Sequence, residues 1–248
     1  MGIAALVTGS GDPVTVAAHG LGASVAETRP MLSGVVGRRV FYPARGHHGD
    51  VPRPFSYRDL GDDLLVVADE YGASRALGVS MGAGALLSVL ARQPGRFEKV
   101  VCFLPGALDR PRSDDAVGRF AALVAAVQHA DLDGVRAFVT AEIPADLRAA
   151  AASYIETRSQ FLLASPGIAV AIASLPPVSP VEDRSSLGAV SAEVLVLAQE
   201  GDPLHPAQVA RDLVAVLPKA RLVVFDEPGV ALRDRLRLRG LITDFLND

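Results

Sequence analysis

The sequence predicts an α/β protein in which a mostly parallel central sheet is flanked by helices on both faces. Short runs rich in β-branched residues alternate with longer segments whose apolar residues recur at helical spacing. Such alternation is typical of strands joined by right-handed helical crossovers, which place the strands in one sheet. The predicted buried strands are residues 3–7, 14–19, 38–42, 75–80, 99–104, 193–198 and 221–226.

Three helices are predicted from residues 59–71, 205–218 and 236–246, because each segment places its apolar residues on one face. Residues 109–180 break the alternation, since they are rich in alanine and helix-like throughout. A separate helical domain would explain this segment, but strands resume directly after it. We therefore interpret 109–180 as a helical cap inserted into a core made of 1–108 and 181–248.

Composition excludes several functional classes. The chain has 248 residues, half of them hydrophobic, and a net charge of −4, so no basic surface for nucleic acid or an anionic membrane is expected. The arginines of "RDRLRLR" (233–239) would spread around a helix, which favours a solvated surface. The single cysteine, Cys102, lies in an apolar run typical of a core residue in a reducing compartment.

No signal peptide or membrane-spanning stretch is recognisable, so we expect a cytoplasmic protein that acts on a small molecule. The sequence does not indicate the oligomeric state. The histidines and Asp50 have side chains of the kind that bind metals. They do not occur at the spacing typical of a metal site, so no metal is expected. The "GSGDP" stretch that starts at Gly9 precedes a strand instead of opening a helix. It is interpreted as a hairpin turn, and no cofactor is expected.

The stretch "GVSMG" (78–82) places Ser80 between two glycines, after a predicted strand and before a predicted helix. A tight turn at this place exposes a serine Oγ above the sheet, and small neighbours such as Gly78 and Gly82 avoid clashes. The alternative is an ordinary N-cap serine. The strand before and the helix after favour a nucleophile.

Two further stretches fit acyl chemistry. In "AAHGLGAS" (17–24) the glycines allow a close turn, and we expect the amides of Leu21 and Met81 to form an oxyanion hole. His19 is interpreted as a brace for this loop. Asp202, just after a late strand, could orient a catalytic imidazole. Its alternative role is a turn aspartate that bonds its own backbone.

Taken in order, "HGLGAS", "RGHHGD" (45–50), "GVSMGAGA" and "LVLAQEGDPLHP" resemble an α/β-hydrolase along nearly the whole chain. The resemblance implies a triad in the chain order serine, acid, histidine, with Ser80 as the nucleophile and Asp202 as the acid. It also implies that loop 45–50 borders the active site and that 109–180 covers the substrate pocket.

The chain departs from this family where the catalytic histidine is expected, after the last strand. Gly229 is followed there by Val230, and no histidine occurs beyond His205. One interpretation is that another histidine acts as base: His205, which shares the loop of Asp202, or His47 or His48 in loop 45–50. A structural role is the more common one for each of them, and His205 is the nominal candidate.

Two other interpretations stay open. Ser80 could donate a hydrogen bond in a lyase or cyclisation reaction, or the protein could bind a ligand without turnover. For a hydrolase, we expect a small, fairly apolar ester, thioester or lactone, because the cap supplies apolar residues such as Tyr154 and Phe161 and no cationic cluster.

Overall fold

The computed structural model describes residues 3–49, 53–165 and 167–248. The strands are β1 (Leu6–Thr8), β2 (Val14–Ala18), β3 (Arg38–Phe41), β4 (Arg75–Val79), β5 (Lys99–Phe103), β6 (Glu193–Gln199) and β7 (Ala220–Phe225). They form one seven-stranded sheet in the order β1-β3-β2-β4-β5-β6-β7. Every pairing is parallel except that of β1 with β3. The predicted fold class is confirmed.

The helices lie between and after the strands. They are α1 (Val25–Thr28), α2 (Tyr57–Tyr71), α3 (Met81–Arg92), α4 (Asp114–Gln128), α5 (Leu132–Ala141), α6 (Ala152–Ala164), α7 (Ile168–Ser174), α8 (Ala207–Val216), α9 (Val230–Arg233) and α10 (Arg235–Asn247). None of the helices in the described ranges is both long and apolar enough to cross a membrane.

Successive strand residues point to opposite faces of the sheet, and each face has its own apolar core. Val100 and Val196 belong to the cluster that contains residues of α2, α3 and α8. Their neighbours Val101 and Leu197 belong to the cluster that contains residues of α10. This double coverage explains why the central strands consist of almost uninterrupted apolar residues.

Helices α4–α7 all lie between β5 and β6 in the chain, within the segment interpreted as a cap. Their apolar side chains form a third cluster, which includes Phe120 and Leu162. The same cluster contains Met81, directly after Ser80, and Leu204, directly before His205. These helices therefore pack over the end of the sheet that carries the predicted site.

Two expectations at the N-terminal end are wrong. The first strand is an edge strand in which Leu6 and Val7 are 43% and 39% exposed, not a buried one. It pairs with β3, so the segment from Gly9 connects strands that are not neighbours and is not a hairpin turn. A short apolar run does not reveal whether a second strand will cover its outer edge.

Candidate active site

Ser80 lies in the turn between β4 and α3 with φ 49° and ψ −102°, a backbone conformation that is costly for a residue with a side chain. Two glycines make this turn possible. A Cβ at Gly78 would lie 2.5 Å from the backbone of Gly82, and a Cβ at Gly82 would lie 2.2 Å from the carbonyl oxygen of Ala18. The helix can approach the sheet this closely only without those side chains.

The Ser80 side chain does not cap helix α3. Its Oγ lies 2.7 Å from Nε2 of His205, so the serine hydroxyl faces an imidazole instead of the helix backbone. The ordinary N-cap role that the sequence left open is absent.

His205 is held from its other side by Asp202, with 2.9 Å between Nδ1 and Oδ2. Because an ionised carboxylate can only accept a hydrogen bond, Nδ1 carries the proton. The lone pair of Nε2 then points to Ser80, which is the tautomer that a general base requires. The structure thus brings together Ser80, Asp202 and His205.

Asp202 has four hydrogen-bond donors around it. Its Oδ1 accepts from the backbone N–H groups of Leu204 and His205, at 2.9 and 3.0 Å, and its Oδ2 also accepts from Gln199 Nε2 at 2.8 Å. Burial disfavours the charge, but the hydrogen bonds from His205, Gln199 and Leu204 outweigh it and hold the pKa of Asp202 below its usual range. The carboxylate is both a turn residue and the partner of an imidazole.

His19 and His47 support the loop that contains Leu21. His19 Nε2 accepts from the Ala44 N–H at 2.9 Å, and His47 Nε2 accepts from the Gly22 N–H at 2.8 Å. Burial lowers the pKa of His19 to about 4 and that of His47 to about 3, so both rings are neutral. The lone pair of His47 is used in the loop, and His48 is exposed. In loop 45–50, Asp50 lies outside the described residues.

The two expected oxyanion donors, Leu21 and Met81, flank Ser80. Gly20 lies so close to the turn of Ser80 that an added Cβ would be 3.7 Å from the Ser80 Cβ, which brings the next residue, Leu21, beside Ser80. Met81 begins α3, where a first-turn amide has no helical acceptor. Within the described ranges, neither amide donates to a protein acceptor.

Comparisons with known proteins agree with this architecture. No family model matches the chain. A curated protein described as "Putative carbamate hydrolase RutD", from Pseudomonas savastanoi pv. phaseolicola, is 26% identical over 207 residues, which cover 80% of this chain and 78% of that protein.

Two solved structures show the same similarity in three dimensions. The enol-lactonase from Burkholderia xenovorans LB400 has a TM-score of 0.81 at 19% identity and covers 99% of this chain and 96% of its own. MGS-M2, an α/β hydrolase from a Medee basin deep-sea metagenome library, has a TM-score of 0.83 at 14% identity, with 99% and 94% covered.

The chain has the α/β-hydrolase fold.

Within this fold, the residue that stands where the sequence resemblance places the catalytic histidine is Val230. Its side chain is only 2% exposed and packs in the core. Its backbone N–H donates to Gln199 Oε1 at 3.0 Å, while Gln199 Nε2 donates to Asp202. Gln199 thus links the segment after β7 to the carboxylate that faces His205. Sequence reasoning missed Gln199, because a glutamine at a strand end has no motif.

Sequence reasoning also missed Arg112. One guanidinium nitrogen, Nη2, lies 3.5 Å from Ser80 Oγ, and the other, Nη1, donates to the carbonyl oxygen of Leu204. Arg112 belongs to the stretch "DRPRSDD", which looks like a polar connection before α4. Only the path of the chain between β5 and α4 reveals that its side chain reaches Ser80.

A cavity of about 700 Å³ lies beside the histidine and its carboxylate. It is lined by His205 and Asp202 and by residues of α5 and α6, including Phe138 and Tyr154. Apolar side chains such as Leu104, Ile143 and Leu238 also line it, so it could hold a small organic substrate.

The lining of this cavity includes four arginines that form no ion pair among the described residues, two from 109–180 and two from α10: Arg119, Arg148, Arg235 and Arg239. Two of them belong to the stretch 233–239, where Arg233 and Arg237 pair with carboxylates on the surface. Residues 235 and 239 are one helical turn apart and therefore share a face of α10, whereas the stretch as a whole does not.

Arg158 connects the helical segment to the loop that contains Leu21. Its guanidinium lies 3.2 Å from a Glu142 oxygen and donates to the carbonyl oxygen of Leu21 at 3.4 Å. The Tyr154 hydroxyl donates to Glu27 at 3.0 Å, and burial raises the pKa of this tyrosine to about 12. These partly buried contacts position helix α6 against the loop beside Ser80.

Proposed function

We propose that the protein hydrolyses a small, fairly apolar ester, thioester or lactone, with Ser80 as nucleophile, His205 as general base and Asp202 as the residue that orients the base. The observation that carries the proposal is the hydrogen-bonded series from Ser80 Oγ to His205 Nε2, at 2.7 Å, and from His205 Nδ1 to Asp202 Oδ2, at 2.9 Å. The base comes from the loop of the acid and not from the segment after the last strand.

The series supports a two-step acyl transfer. Ser80 Oγ attacks the substrate carbonyl carbon while its proton moves to His205 Nε2, and the amides of Leu21 and Met81 stabilise the oxyanion. Collapse of the intermediate breaks the bond to the leaving group, which takes the proton from His205. A water then gives a proton to His205 and attacks the acyl-enzyme carbonyl carbon. The bond to Ser80 Oγ breaks, His205 returns the proton to Ser80, and the acid leaves.

The known proteins support a hydrolytic reaction. The curated relative is described as a carbamate hydrolase and one similar structure is an enol-lactonase, both of which act on a carbonyl group bonded to a heteroatom. We propose that the segment 109–180 forms a cap over the substrate, since residues of α4, α5 and α6 line the cavity beside His205. No metal or cofactor takes part in the proposed steps.

The test is intact-mass labelling with a fluorophosphonate, which reacts with an activated serine. We expect one adduct on the wild type, none on Ser80→Ala and none or very slow labelling on His205→Ala. His129→Ala is the matched control, because His129 is exposed and bonds only to the carbonyl oxygen of Ala125 in its own helix. It should label like the wild type.

The other outcomes separate the alternatives. Full labelling of His205→Ala would show that a different base activates Ser80. A folded wild type that is not labelled would contradict serine hydrolysis and favour a lyase-type catalyst or a ligand-binding protein. Turnover that survives in Ser80→Ala would favour the lyase-type catalyst over the binding protein.

A further inference from the structure

Arg112 is a cation beside the nucleophile that no carboxylate neutralises. Its guanidinium lies 3.5 Å from Ser80 Oγ, and it forms no ion pair with any of the carboxylates that the structure describes. By contrast, Arg184, which follows the segment 109–180 in the chain, is held by both oxygens of Asp109. An uncompensated guanidinium in a partly enclosed site is costly unless an anion joins it.

The position of Arg112 is built into the fold. Its Nη1 donates to the Leu204 carbonyl oxygen, and its guanidinium carbon lies 5.6 Å from the centre of the Phe120 ring. Gly106 leaves the space that the guanidinium fills, since a Cβ there would lie 2.2 Å from Nη2. A guanidinium has five N–H donors, so these contacts leave donors for a ligand.

We propose that Arg112 binds a carboxylate on the acyl part of the substrate, so that the preferred substrate is a half-ester or similar derivative of a short dicarboxylic acid. This inference rests on the proposed function for the identity of the reacting carbonyl. It adds one negative charge to a substrate that is otherwise small and apolar.

The distances limit the length of the acyl chain. The reacting carbonyl must come within about 3–3.5 Å of Ser80 Oγ, and a carboxylate held by Arg112 lies about 2.8 Å from its nitrogen. With 3.5 Å between that nitrogen and Oγ, the carbonyl carbon and the bound carboxylate oxygen can be at most about 10 Å apart. One or two methylene groups between them satisfy the geometry, as in malonyl or succinyl derivatives.

The charged residues that line the cavity beside His205 also favour an anionic substrate. Its lining carries five arginines, namely the four unpaired ones and Arg158, against the carboxylates of Glu27, Glu142 and Asp202. A cleft with excess positive charge raises the local concentration of an anion and speeds its entry. A neutral ester gains nothing from either feature.

The test compares two esters that differ only at the end of the acyl chain, monomethyl succinate and methyl butanoate. We expect wild-type kcat/KM to favour the succinate, and Arg112→Gln to lower the ratio of the two values about tenfold to a hundredfold, the usual effect of losing a hydrogen bond between charged groups. Arg112→Lys should keep part of the preference. Arg110→Gln, an exposed neighbour, should keep all of it.

A purely structural role for Arg112 would lower both values of kcat/KM equally, so an unchanged ratio in Arg112→Gln would overturn the inference. A wild type without preference for the succinate would overturn it as well. If neither ester is hydrolysed, a binding measurement tests the inference instead. Calorimetry should detect binding of monomethyl succinate to the Ser80→Ala protein and no binding to the double variant Ser80→Ala with Arg112→Gln. Failure to bind in the single variant refutes the carboxylate site, whatever labelling shows for Ser80.

Discussion

Replacing Asp202 by asparagine tests the proposed series of hydrogen bonds most directly, because the change is almost isosteric. All four groups around the carboxylate are donors: the N–H groups of Leu204 and His205 at Oδ1, and Gln199 Nε2 and His205 Nδ1 at Oδ2. Asparagine has one accepting oxygen and one donating NH₂. Either orientation therefore places donors against donors.

The two orientations have different consequences. With the NH₂ at the Oδ1 position, two backbone N–H groups lose their acceptor, which costs about 1–3 kcal/mol for each orphaned group. With the NH₂ at the Oδ2 position, His205 must move its proton to Nε2, where it faces Ser80 as a donor and cannot act as a base. The same defect in a known serine hydrolase triad lowers kcat about 10⁴-fold, which corresponds to about 5 kcal/mol.

The assay measures the release of 4-nitrophenol from 4-nitrophenyl acetate together with the rate of fluorophosphonate labelling. We expect both to fall by about three to four orders of magnitude in Asp202→Asn. The control is Glu200→Gln, an exposed carboxylate of the same loop that pairs with Arg211, and it should behave like the wild type. Retention of about a tenth or more of wild-type kcat in a folded Asp202→Asn protein would refute the assigned role of Asp202.

Three further predictions concern stability and positioning. The lowered pKa values of His19 and His47 mean that these two histidines bind protons in the unfolded chain at a pH where the native state does not. The free energy of unfolding should therefore be highest above pH 6.5 and should fall by about 2 kcal/mol for each histidine between pH 6.5 and 5. Urea unfolding at both pH values checks this, and His47→Gln should reduce the loss. Gly82→Ala should lower the free energy of unfolding by about 1–3 kcal/mol or prevent folding, because the new Cβ would clash with the carbonyl oxygen of Ala18. The control Gly118→Ala has open space around the new Cβ and should raise the free energy of unfolding by up to about 1 kcal/mol. Gln199→Leu should lower kcat more than it raises KM, because the variant removes a hydrogen bond to Asp202, the proposed partner of His205, without removing a contact to the substrate carbonyl. An unchanged kcat in steady-state measurements would contradict this.

Much of the fold was predictable because its signals are local. β-Branched runs and helical spacing predicted all seven strands within a few residues, and helical spacing predicted the long helices α2, α8 and α10 but not the short helices α1 and α9. The glycines around Ser80 also carry a local signal, since the turn cannot close with larger side chains. The first strand was the exception: whether an apolar run lies at an edge or inside a sheet depends on strands elsewhere in the chain.

The site itself was only partly predictable. Asp202 and Ser80 could be named from their places at strand ends, but His205 was only the nominal choice among three candidate histidines. The structure distinguishes them by their partners, because His47 Nε2 is engaged by a backbone amide and His205 Nε2 faces Ser80 Oγ. Both contacts join residues far apart in the chain, and no periodic pattern encodes the direction of a loop side chain.

By itself, the sequence determined that the chain forms a mostly parallel α/β sheet with a serine in a strained turn, because strand and helix periodicity and steric limits act between near neighbours. Only the tertiary structure decided that His205 meets that serine, that Gln199 joins Val230 to the acid and that Arg112 reaches the nucleophile. Each of these depends on how separate loops pack above the sheet. That packing results from the whole chain folding together, so short segments do not reveal it.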